Sequence, residues 1–145
     1  MSTPQVVLSY DFSDLAEEYR QAYYALPERT PISWPRYFLF CHSIELLLKA
    51  YLARIGLTEN QLQTFGHNIK NLLEEAIKCG LSLSANARAN IEQLTDAHTK
   101  HWPRYPMTTS APIALIYQFE PDATELFEAV NAALRGGRPF LDGQG

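Results

Sequence analysis

The chain has 145 residues, enough for one domain that buries roughly two-thirds of its unfolded surface without a disulfide or a metal. Its formal charge of −4, from 12 basic and 16 acidic residues, excludes the broad basic surface of a general nucleic-acid binder but leaves room for a local basic pocket. Met1–Tyr10 lacks a basic start followed by a long apolar run, and Tyr37–Leu52 is too short and too polar to span a bilayer, so a cytoplasmic protein with no membrane association is expected.

The spacing predicts a first helix over Asp11–Leu26, with Phe12, Leu15, Tyr19, Ala22, Tyr23 and Leu26 on one side, start signals at Asp11 and Asp14, and Pro27 as the stop. A linker, Glu28–Ser33, leads to a second helix at about Pro35–Ile55 that ends at Gly56. Leu57–Gly66 connects it onward, with room for a brief helical turn. A third helix is expected from His67–Asn68 to Cys79–Gly80, with Ile69, Leu72, Leu73, Ala76 and Ile77 as its apolar face. Ser84 caps a fourth, which faces Ala87, Ile91, Leu94 and His98 inward. A proline-rich break follows over His101–Pro121, and its apolar stretch Ile113–Phe119 can be extended, helical or irregular. Pro121 and Asp122 open the last helix, with Glu125 placed for a capping box, Leu126, Phe127, Val130 and Leu134 facing the core, and Gly136–Gly137 as the end. The expected fold is all-α: one domain over residues 1–145, an antiparallel up-and-down bundle of four to five helices with its core over about residues 11–135 and a frayed tail over 136–145.

The second helix is apolar nearly all round, the mark of a buried helix. At about 100° per residue, with Phe38 at 0°, His42 falls at about 40°, Lys49 at about 20° and Glu45 at about 340°. These three form one polar stripe, and Glu45 and Lys49 are an i, i+4 pair in the favourable order. A half-satisfied buried ion pair is costly, so further partners are expected from His67 and Asn68, or from Arg104 and Tyr105 in the long break. Arg36, Ser43, Ala50 and Arg54 cluster at about 120–160° and make the more solvent-like face. The stripe is either a structural strut or the lining of an anion or nucleotide pocket. Cys41 and Cys79 have no CxxC spacing and read as buried reduced thiols. His98 and His101 lack the further ligands of a zinc site, so no metal and no cofactor are expected.

Three pieces, Phe40-Cys-His-Ser-Ile-Glu-Leu-Leu-Leu-Lys-Ala-Tyr-Leu, Gly66-His-Asn-Ile-Lys-Asn-Leu-Leu-Glu-Glu-Ala and Arg104-Tyr-Pro, give the chain a resemblance over about Asp11–Leu134 to prokaryotic HEPN-domain proteins. In those a helix with a Glu-x-x-x-Lys pair precedes a Gly-His helix start and a later Arg-Tyr motif. The resemblance implies a helical bundle, often a homodimer, from a bacterial stress, toxin–antitoxin or phage-defence setting. Some such proteins are metal-independent ribonucleases with Arg, four to six residues, then His; others are inactive partners of a nucleotidyltransferase or have no assigned role, so a nucleotidyltransferase or an antitoxin is the partner the resemblance implies. Arg36 and His42 fit that spacing and are the candidate catalytic pair. In that role His42 would move the proton and Arg36 would stabilise the phosphate. They nevertheless stand about 120° apart on a regular helix, and the family's motif falls later in the bundle. The expected function is therefore a binding or regulatory module for a nucleotide, RNA or a partner protein, with His42, Glu45, Lys49, His67, Arg104 and Tyr105 as candidate ligand-binding residues. The alternatives are a ribonuclease using Arg36 and His42, and a structural interaction protein with a buried polar network.

Overall fold

A computed structural model describes residues 3–28, 34–94 and 116–136. These residues form α1 (Thr3–Ala25), α2 (Trp34–Arg54), α3 (Glu59–Gln63), α4 (Ile69–Lys78), α5 (Ala85–Glu92), a 3-10 turn (Ile116–Phe119) and α6 (Glu120–Gly136). The fold is all-α, with no strand among the described residues. No helix among them is long and apolar enough to cross a membrane.

α2 is the centre, packed against α1, α3, α4 and α6. Its Ile44, Leu47, Leu48, Leu52 and Ala53 are fully buried. Each large aliphatic side chain so buried stabilises the fold by about 1.5–3 kcal/mol. The helix stops at Gly56, whose φ of +119° favours glycine. There Gly56 N–H donates to the Ala53 carbonyl and Leu57 N–H to the Leu52 carbonyl, which together cap the last turn as a Schellman motif.

α1 runs antiparallel to α2, with Gln5 at Gly56, Tyr10 at Arg54, Tyr19 at His42 and Tyr23 at Arg36. It begins eight residues before the predicted start at Asp11. The extra turns are held by the Gln5 amide, which donates to the Gly56 carbonyl, and by Leu8 and Tyr10, which pack on the core. α6 also runs antiparallel to α1: Tyr23 Oη donates to Glu120 Oε2 at 2.7 Å, Arg20 covers the Phe127 ring, and Tyr10 lies near Leu134.

Three further expectations are corrected. The face expected to be solvent-like is buried: Arg36 is 1% exposed, and Ser43, Ala50 and Arg54 are also in the interior. α1 covers it. Arg36 Nε donates to the Tyr23 carbonyl at 3.0 Å, its guanidinium lies 4.1 Å from the Tyr23 ring centroid, and Arg54 lies over Tyr10. Glu125 does not cap its own helix. It accepts from Ser84 N–H and Ser84 Oγ–H, while that same hydroxyl accepts from Ala87 N–H, so Glu125 anchors the start of α5. α6 instead continues directly from the 3-10 turn, whose Ile116 and Phe119 are buried. Cys41 is buried as expected, but Cys79 is exposed, and both are free. His98, Arg104, Tyr105, residues 113–115 and the tail beyond Gly136 lie outside the described residues.

The packing around Tyr23 and Tyr37 makes stability depend on alkaline pH. Burial raises both phenols well above their usual range, and the Glu120 carboxylate raises Tyr23 further. Burial also pushes the Cys41 thiol up to about 12. A group whose pKa is higher in the folded state favours folding fully below its unfolded pKa and loses that contribution as pH rises above it. The urea midpoint should therefore hold to about pH 8, begin to fall as pH passes the ordinary thiol range near about 8.5, and fall more steeply above about pH 10, with a shallower fall above about pH 10 in Tyr23→Phe. A midpoint flat to pH 11, by circular dichroism, would contradict this packing.

Candidate binding site

The stripe on α2 converges on one carboxylate. Glu45 is 1% exposed. Lys49 Nζ, one turn on, donates to Glu45 Oε2 at 3.0 Å. His67 Nδ1 approaches from the start of α4, 3.0 Å from Oε1 and 3.1 Å from Oε2. His42 Nδ1 lies 3.6 Å from Oε1, an ion-pair rather than a hydrogen-bond distance. With Glu45 ionised, and so able only to accept, this contact requires the His67 tautomer that carries its proton on Nδ1.

Local sequence explains how His67 arrives. Thr58 and Gln61 form a reciprocal capping box that holds α3. Gly66 then turns the chain at φ +57°, and Asn68 caps α4 by accepting from Asn71 N–H. His67 stands between the turn and the cap, facing α2. At the other end of α4, Tyr51 Oη donates to the Cys79 carbonyl at 3.3 Å, so α2 holds both ends of that helix.

Aromatic rings fix His42. Its imidazole stacks on Phe38, with centroids 5.0 Å apart and planes at 19°, and Tyr19 meets it edge-on at 4.6 Å. The Phe38 contact is legible as an i, i+4 pair. The Tyr19 contact depends on how α1 docks, which no spacing on α1 reveals.

Exposure is graded across the cluster. Side-chain exposure rises from 1% at Glu45 to 13% at Lys49, 18% at His42 and 59% at His67. The network therefore begins in the core and ends in solvent.

Arg36 is elsewhere. Its guanidinium lies between Tyr23 and Tyr117, 4.1 Å and 5.2 Å from their ring centroids, and its Nε is engaged by the Tyr23 carbonyl. No spacing on α2 reveals that aromatic clamp, because both rings come from other elements. Ser43, next to His42 in the chain, donates to the Phe40 carbonyl at 2.7 Å, and the protonated thiol of buried Cys41 is unsuited to attack. Arg104 and Tyr105 lie outside the described residues.

The chain matches no protein-family model, no curated protein and no solved structure.

Burial of Glu45 makes its partners interdependent. Removing one member of a buried pair leaves a charge without compensation, whereas replacing both is far less costly. Lys49→Met should lower the unfolding free energy by about 3 kcal/mol, and Lys49→Met with Glu45→Gln should recover part of that loss. Urea titration of the two single variants and the double variant checks this. Strictly additive losses would show that the carboxylate is not compensated by Lys49.

Proposed function

We propose that the protein is a HEPN-like binding or regulatory module of a bacterial stress or defence system, acting in the cytoplasm on a phosphate-bearing ligand, a nucleotide or RNA. The observation that carries this reading is the gradient from buried Glu45 to exposed His67. A strut between helices has no need of a member more than half exposed. A binding site needs both a fixed floor and an accessible edge. Lys49 and the two histidines supply donors suited to phosphate oxygens, and Phe38 and Tyr19 hold one of them in place. The resemblance adds Arg104 and Tyr105 to the pocket, a bundle of four to five up-and-down helices, a homodimer, and a nucleotidyltransferase or an antitoxin as partner.

The ribonuclease alternative has less support. Arg36 is engaged by Tyr23 and Tyr117, while His42 belongs to the Glu45 cluster. The test is binding of a ribonucleotide panel and short RNA by calorimetry in EDTA. Lys49→Ala and His67→Ala should each weaken binding about tenfold or more, the equivalent of one charge-assisted hydrogen bond. The wild-type protein should not cleave RNA, and Arg36→Ala should lower stability instead. No binding at all would favour the structural interaction protein. Cleavage in EDTA that is lost in both Arg36→Ala and His42→Ala would restore the ribonuclease.

A further inference from the structure

We propose that His42, Glu45 and His67 form a site for a divalent transition-metal ion of the zinc class. One ligand atom from each of the three residues lies within 4.8 Å of the other two. His67 Nδ1 is 3.0 Å and His42 Nδ1 is 3.6 Å from Glu45 Oε1. Ligands about 2.0–2.1 Å from a tetrahedral zinc ion stand about 3.3–3.4 Å apart, so these separations fall on either side of what a bound ion requires. Two imidazoles and one carboxylate also make a set that holds zinc while leaving a fourth position for water or a ligand oxygen.

The surroundings suit the role. His42 and Glu45 share one face of α2, three residues apart, and neither is free to swing: Phe38 and Tyr19 hold the imidazole, and burial holds the carboxylate. Exposed His67 is the ligand that adjusts. Lys49 on Oε2 leaves Oε1 for the ion and acts as an outer-shell partner that orients the carboxylate. Its ammonium also repels a second cation, which sets the affinity below that of a site without a nearby lysine. The ion replaces the proton that His67 Nδ1 shares with Glu45, so binding weakens as pH falls.

This inference rests on reading the cluster as a binding site and adds a ligand class to it. The full-length chain is titrated with zinc by calorimetry, and with cobalt(II) by visible absorption, without nucleotide. One ion per chain and a tetrahedral cobalt spectrum are expected. Affinity should drop at least about tenfold in His67→Ala and in His42→Ala, and stay unchanged in the double variant His98→Ala with His101→Ala. His67 is exposed, so His67→Ala keeps its helical circular dichroism and isolates the site from folding. No binding at micromolar zinc, or binding that persists in both His67→Ala and His42→Ala, overturns the proposal. Zinc binding without nucleotide binding in EDTA would remove the phosphate ligand and keep the metal site; the reverse would remove the metal site alone.

Discussion

A carboxylate taken out of water is stable only where donors and positive charge replace its hydration, and Glu45 is 1% exposed. That requirement reaches well beyond one side chain. It draws Lys49 along α2 and brings His67 in from the start of α4. The turn at Gly66 and the Asn68 cap deliver His67 to that place. Interior packing and the candidate site therefore share one atom group.

A second buried charge is handled differently. Arg36 is as buried as Glu45, and a backbone carbonyl and two aromatic faces receive it. A guanidinium suits this because it is planar and weakly hydrated. The two arrangements lie on different sides of α2. One is closed over by α1, and the other reaches solvent at His67. This difference separates the structural arginine from the candidate site.

Much of the fold was legible because its signals are local. Ser84 as a cap, the helix start at His67–Asn68, Gly56 as a stop and the apolar circumference of α2 each depend on neighbours within a turn or two. The stripe of His42, Glu45 and Lys49 was legible for the same reason, since helical periodicity alone places them together. What stayed hidden is tertiary. Nothing on α2 announces that α1 covers Arg36 and Arg54, and a charged residue at a helix edge ordinarily reads as solvated. Glu125 has the spacing of a capping residue, yet the start of α5 competes for it and wins. His67, 22 residues along the chain from Glu45, was legible only as one of several candidate partners, because the turn at Gly66 that brings it to the carboxylate is a tertiary matter.

The central claim is that Glu45 organises the cluster by accepting from His67 Nδ1. Nitrogen NMR of the imidazole rings tests it most directly, because the ring tautomer reports which nitrogen holds the proton. The account predicts a proton on His67 Nδ1, slow to exchange with solvent, and its loss in Glu45→Ala. A His67 ring protonated at Nε2 alone, unchanged in Glu45→Ala, would contradict it.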